Sequence, residues 1–121
     1  MLVDVCQQHQ EHDALIAAGR QRLPDPDAMR EVADYFDALG NPTRLTILYA
    51  LAGGELCTCD LARIAELSVS AISHQLRILR DRRLLVSRKE GKNVFYRLRD
   101  EHVADLLRVA LDHQREDRRH G

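Results

Sequence analysis

The side chains best suited to hold a metal ion fall in two places. Asp100 and His102 stand two residues apart, and His113 and Glu116 three apart, within one stretch of chain. Each pair offers an imidazole nitrogen and a carboxylate oxygen, donors that Zn(II) takes in four-coordinate sites. If the stretch is one helix, the eleven residues from His102 to His113 span roughly 16 Å. Zinc–nitrogen bonds are about 2 Å, so one chain cannot bring both histidines to one ion. Two antiparallel copies of the helix could, the start of one facing the end of the other. That arrangement predicts two symmetric sites of two His and two carboxylates in a twofold dimer with isologous contacts. The apolar stripe between the ends, Val103, Leu106, Leu107, Ala110 and Leu111, would be its seam. The same spacing also describes solvated polar ends on an ordinary amphipathic helix, and spacing alone leaves both readings open.

The second place is Cys57-Thr58-Cys59-Asp60. Thr58 is positioned to cap a short helix, which puts Cys59 and Asp60 in its first turn. Negative charge is favoured there, so a thiol loses its proton more readily and becomes the thiolate that binds metal. Two cysteines do not complete a site. Cys6 and His9, with His12 nearby, could supply further donors from an N-terminal arm of either subunit. The alternative is Cys57 as a small buried apolar group and an arm with no metal role. With three cysteines and the cytoplasm as the default compartment, metal ligands or reactive thiols are expected rather than disulfides.

These groups need elements to position them. The chain has 121 residues, 45% hydrophobic and 31% charged, one domain's worth with a modest core. The absence of Trp and the 4% aromatic content indicate packed helices with Leu, Ile, Val and Ala inside. No apolar run reaches the roughly 20 residues needed to cross a membrane, and Met1–His12 lacks the basic start and apolar stretch of a secretion signal. The reading is a mainly α fold with a small β-hairpin, α-α-α-α-β-β-α. Residues 1–24 form an N-terminal arm that becomes weakly helical, 25–116 the domain, and 117–121 a frayed tail.

Leu23-Pro24-Asp25-Pro26-Asp27 reads as a linker with an Asp cap and a proline in the first helical turn. Met29, Val32, Ala33, Phe36 and Leu39 repeat at helical spacing. Gly40-Asn41-Pro42 ends that helix and opens the next, which carries Leu45, Ile47, Leu48 and Leu51 up to Gly53-Gly54. A short helix bears Leu61, Ala62, Ile64 and Ala65. Ser68 then caps a longer one through about Arg83, with Ile72, Leu76 and Leu79 inward. Leu84–Arg88 and Val94–Leu98 are strands joined by Lys89-Glu90-Gly91-Lys92-Asn93. Asp100 begins the last helix.

Charge is unevenly placed. Net charge is −1, yet residues 1–66 carry −6, residues 67–99 +7 and residues 100–121 −2. A basic segment in an otherwise acidic chain marks a surface for a polyanion. Its order of parts, two short helices and a basic hairpin, is that of a winged helix-turn-helix at 58–99, whose second helix would lie in the DNA major groove. Ser70, Ser73, His74, Gln75 and Arg77 are hydrogen-bonding groups placed on its outward side. Ser68 and Ser70 sit where helical N–H groups favour a phosphate. Arg88, Lys89, Lys92 and Asn93 would form the hairpin tip, reaching backbone or an adjacent groove.

Leu39-Gly40-Asn41-Pro42-Thr43-Arg44-Leu45, Glu55-Leu56-Cys57-Thr58-Cys59-Asp60-Leu61, Ser70-Ala71-Ile72-Ser73-His74-Gln75-Leu76 and Gly91-Lys92-Asn93-Val94-Phe95-Tyr96 occur in this order. On these motifs the chain resembles the ArsR/SmtB family of metal-sensing repressors over about residues 28–116. The resemblance implies a homodimer that represses a promoter by binding double-stranded operator DNA and releases it when metal binds. It implies that Asp100, His102, His113 and Glu116 form a zinc site. It also implies that the N-terminal arm and the Cys-x-Cys helix form a thiolate-rich one. Soft ligands there suit Cd(II), Pb(II) or Zn(II). The family's arsenic-sensing pattern has a third cysteine where this chain has Ala62, so arsenite sensing would need Cys6 instead. Arsenite or thiol oxidation acting through Cys6, Cys57 and Cys59 is the alternative input.

Zinc is expected to favour a dimer geometry in which the two reading helices no longer match successive major grooves, roughly 34 Å apart. Metal and DNA must then weaken each other by the same factor, typically about 1–3 kcal/mol. A metal-dependent hydrolase is a poor fit: there is no cleft-building α/β pattern, and two His with two carboxylates leave no open position for water. A metal buffer with incidental basic charge would not bind a palindromic duplex.

Overall fold

The computed structural model describes residues 9–120. In order the elements are α1 (His9–Gln21), α2 (Pro26–Leu39), α3 (Pro42–Leu51), β1 (Leu56–Cys57), α4 (Thr58–Ala65), α5 (Val69–Asp81), β2 (Leu85–Glu90), β3 (Asn93–Leu98) and α6 (Glu101–His120). Two compact units divide within α2, after Ala33. In the first, α1 is a full helix rather than a weak one, and Leu15 and Ile16 on it are exposed. The start of α2 follows the sequence expectation. The Asp25 carboxylate accepts from the Ala28 N–H at 2.8 Å, and Pro26 opens the helix where no N–H is needed.

The second unit, from Asp34 onward, holds the core. Ile47 and Leu48 of α3, Leu61 of α4, Ile72, Leu76 and Leu79 of α5 and Leu85 of β2 are fully buried. Each contributes about 1.5–3 kcal/mol by leaving water. They come from inward positions of three helices and a strand, so the helix-turn-helix is fixed by packing on all sides but its outer face. Val103 and Leu107 of α6 join this core, and the Tyr49 hydroxyl donates to the Leu107 carbonyl at 2.7 Å.

Local chemistry sets the boundaries. Asn41 caps α3, its side chain accepting from the Arg44 N–H at 3.0 Å, with Pro42 first in the helix. Ser68 caps α5 in the same way toward Ala71 at 3.0 Å. The turn between α4 and α5 reverses on Glu66, which adopts φ 56°, while the Leu67 N–H reaches the Ala62 carbonyl at 2.9 Å. The exit from α5 repeats the device at Arg83, φ 62°, with Leu84 N–H to Leu79 carbonyl at 3.0 Å. Left-handed residues at these two helix ends satisfy carbonyls that would otherwise lack partners.

Several boundaries differ from the sequence expectation. Cys57, not Thr58, is the cap residue of α4, and it makes no side-chain capping bond. The Thr58 hydroxyl instead donates to the Val94 carbonyl at 3.3 Å. A third strand, β1, pairs with β3 (Leu56 with Tyr96, Cys57 with Phe95), making an antiparallel sheet of order β1-β3-β2. Two residues are too short for a periodic signal, and only the exposed edge of β3 calls the strand into being. The hairpin is longer and tighter than expected. Glu90 pairs with Asn93, leaving a two-residue turn of Gly91 and Lys92. Gly91 has φ 62°, as the first central position of such a turn requires. Finally, α6 continues as helix to His120 through the segment expected to fray.

Candidate nucleic-acid interface and metal ligands

Each candidate reading residue owes its position to the packing beneath it. On α5, Ile72, Leu76 and Leu79 face the core, so the opposite side turns out. Ser68, Ser70, His74 and Arg77 are exposed, and Val69 beside them is an exposed apolar group. Ser73 and Gln75 are half-buried, at the edge of this face rather than on its crest. Gln75 is engaged within the protein, its Oε1 accepting from an Arg44 guanidinium nitrogen at 3.3 Å. Arg44 also donates from Nε to the Ala38 carbonyl at 2.7 Å and from Nη2 to the Asp37 carbonyl at 3.3 Å. It thus ties the end of α2, the first turn of α3 and the middle of α5 together. Arg44 belongs to a sequence motif that carries no sign of this role, because its partner lies thirty-one residues on.

The wing requires one correction. Lys89, Lys92 and Asn93 are exposed at or beside the turn, as expected. Arg88 is not a free tip cation. Its Nε and Nη2 grip the Glu55 carboxylate at 2.7–3.0 Å, its Nη1 donates to Glu90 at 2.7 Å, and its guanidinium stacks 4.7 Å above the Phe95 ring. Two carboxylates surround one cation, so Arg88 adds little to the attraction for a polyanion. Hydrogen bonding to Arg88 holds the Glu55 carboxyl below its ordinary value, and the same bond holds the Arg88 guanidinium more firmly protonated. Arg88 is paired across the sheet with Phe95, and Phe95 with Cys57. The clamp therefore joins the wing to the strand that leads into α4. Neither Glu55 nor Phe95 was legible as its partner in sequence, since β1 brings Glu55 alongside.

Of the expected thiolate ligands, Cys57 is half-buried at the cap of α4, and Cys59 is exposed in the first turn beside exposed Asp60. Cys6 lies outside the described residues, and His9 opens α1. In α6 the four expected ligands fall at opposite ends. Asp100 is the cap, its Oδ1 accepting from the Val103 N–H at 3.1 Å, and His102 Nδ1 stands 3.7 Å from the same oxygen. His113 and Glu116 are exposed near the far end. Among the described residues no three metal-binding side chains gather at one point. The stripe between the ends is divided: Val103 and Leu107 are core, while Leu106 and Val109, 43% and 55% exposed, and Ala110 face out. The seam drawn from periodicity thus loses two members to the protomer's own core and gains Val109.

A short helix, a tight turn, a capped helix with a hydrogen-bonding outer face and a basic hairpin define a winged helix-turn-helix DNA-binding unit. The comparisons agree. The sequence family "Bacterial regulatory protein, arsR family" matches residues 41–87. The chain is 43% identical over 112 residues to a transcriptional repressor SmtB homolog of Synechocystis sp., covering 93% of this chain and 85% of that protein. It is 42% identical over 117 residues to a cadmium resistance regulatory protein CadC homolog of Staphylococcus aureus, covering 96% of each. The solution structure of a homodimeric winged helix-turn-helix domain from Mycobacterium bovis superimposes with a TM-score of 0.75 at 30% identity, covering 83% of this chain and 94% of that one. The chain belongs to the ArsR family of bacterial regulatory proteins. It is a DNA-binding transcriptional regulator and not an enzyme, and among the described residues no helix is long and apolar enough to cross a membrane.

Proposed function

We propose that this protein is a cytoplasmic, metal-responsive repressor that binds operator DNA as a homodimer and is released by Zn(II). The observation that carries the reading is the layout of α6. Asp100 with His102, and His113 with Glu116, stand at opposite ends of one helix, and the exposed apolar side chains Leu106, Val109 and Ala110 lie between. Antiparallel pairing of two such helices buries the stripe and brings each end against the other's, giving two sites of two imidazoles and two carboxylates. Nitrogen and oxygen donors in that number suit Zn(II). The proposed DNA contacts are Ser68, Ser70, Ser73, His74, Gln75 and Arg77 of the reading helix and Lys89, Lys92 and Asn93 of the wing.

Relief of repression then follows from linkage. Metal held across the two α6 helices favours one dimer geometry, DNA favours another, and each ligand weakens the other equally. The relatives' names support the reading: one is a transcriptional repressor, and the other a cadmium resistance regulator. The test is operator affinity with and without Zn(II) for the wild type and His113→Ala. Zinc is expected to weaken wild-type binding about 5- to 150-fold and to leave the variant unchanged. Equal weakening of both removes the α6 site from the switch.

A second input is supported by the exposed Cys59 thiol and the Cys57 cap at the positive end of α4. Two thiolates attract Cd(II) or Pb(II) but leave a four-coordinate ion short of two donors. On Cd(II) titration, a weaker thiolate charge-transfer band in Cys6→Ser shows that Cys6 supplies one, and a lower Cd(II) affinity in Asp60→Ala or His9→Ala shows that those residues supply the rest.

A further inference from the structure

We infer that Arg44 sets the base preference of Gln75 by fixing which end of its amide meets the DNA; the inference rests on the DNA-binding reading above. A glutamine amide has an acceptor end and a donor end that are nearly alike in shape. Free in solution it turns over and meets either kind of base edge. In this protein one orientation is favoured. Arg44 Nη1 donates to Gln75 Oε1 at 3.3 Å. A guanidinium has donors only, so the flipped amide would set its NH2 against another donor and lose the bond.

Arg44 cannot follow such a flip, because its Nε and Nη2 are committed to the carbonyls of Ala38 and Asp37 at the end of α2. Gln75 Nε2 has no partner among the described residues, yet Gln75 is only half-exposed and no unpartnered polar side-chain atom there is buried. The Nε2 group is therefore not sealed from solvent. The amide is held before DNA arrives with its carbonyl toward a cation and its NH2 free.

A fixed NH2 donates to an acceptor. In the major groove guanine presents N7 and O6 and thymine presents O4, whereas the bidentate glutamine–adenine pair needs donor and acceptor of the amide together. Arg44 takes one of the two Oε1 lone pairs and holds that end of the amide toward α3, which makes the two-bond contact with adenine harder to form and biases the pairing toward guanine or thymine. Arg44 is thus a positioning residue for recognition, although it sits in α3 and not on the reading helix.

The experiment is selection of bound sequences from a library of random duplexes, using the full-length dimer and three proteins: wild type, Gln75→Ala and Arg44→Met. Gln75→Ala identifies the base column that Gln75 reads, as the one that loses its preference. The expected wild-type letter in that column is guanine or thymine, favoured over adenine by at least about fivefold. Arg44→Met, checked for folding by its thermal melt and for dimer by sedimentation, is expected to raise adenine in that column alone. Adenine preferred by the wild type overturns the inference, as does a folded Arg44→Met with an unchanged column, or a Gln75→Ala that changes none. Should Arg44→Met fail to fold, the wild-type letter still decides. If no sequence is enriched by the wild type, the DNA-binding reading itself falls.

Discussion

The α6 site makes a prediction that ordinary loss-of-ligand variants cannot imitate. His102 and His113 lie eleven residues apart in one continuous helix, roughly 16 Å along its axis, while zinc holds its nitrogen ligands at about 2 Å. An ion bound by both histidines must therefore take His102 from one chain and His113 from the other. His102→Ala and His113→Ala homodimers each contain two damaged sites and should hold zinc weakly. Mixed and re-paired, they form heterodimers in which one site has both histidines and the other has neither. Random re-pairing makes about half the dimers mixed, so the mixture regains about a quarter of the wild-type two-ion capacity. The assay is competition with a chromophoric zinc chelator, at a chelator strength that strips both parent variants. The double variant His102→Ala/His113→Ala, mixed with wild type, is the control. Each hybrid site there lacks one histidine, so re-pairing lowers that mixture from about half to about a quarter of wild-type capacity, whereas the two single variants rise from near none. A mixture no better than its parents would refute the interchain site, as would full zinc binding by either single variant.

Other expectations follow from the wing and the core. Glu55→Ala releases Arg88 from its bidentate partner. If the freed guanidinium reaches a phosphate, the slope of log affinity against log salt steepens by about 0.9 for each half-site; an unchanged slope means Arg88 stays bound to Glu90 and Phe95. The Glu55 carboxyl is held low by Arg88, so the clamp's contribution is complete above the ordinary carboxylate value and fades as pH falls through the lower, folded one. Acid titration of wing resonances should show that loss in the wild type and not in Glu55→Gln. Glu66→Gly and Arg83→Gly relieve left-handed backbone, and each should stabilise the fold by roughly 0.5–1 kcal/mol in urea melts, after the entropy cost of glycine is subtracted. Ile72→Ala, at a fully buried position on the inner side of the reading helix, should cost about 2–5 kcal/mol.

Much of this molecule is determined by short-range chemistry. Gly40-Asn41-Pro42 stops one helix and starts the next, and Ser68 caps the reading helix, because each satisfies backbone groups within three or four residues of itself. The inward positions Ile72, Leu76 and Leu79 follow from helical spacing, and the basic wing from composition. The separation of His102 from His113 follows from helical rise alone, and with it the need for a second chain in any site that uses both. What the tertiary structure decided is where distant side chains spend their hydrogen bonds. Arg88 reads as a free cation in the sequence, yet β1 sets Glu55 beside it and removes its charge from the interface. Gln75 reads as an unbiased contact, yet Arg44, from a helix thirty-one residues earlier, fixes its amide. The α6 stripe reads as one seam, yet the core takes Val103 and Leu107 and leaves Leu106 and Val109 outside. Local spacing can place a residue on a face. Which neighbour it meets there depends on chain closure over tens of residues, and no periodicity in the sequence encodes that.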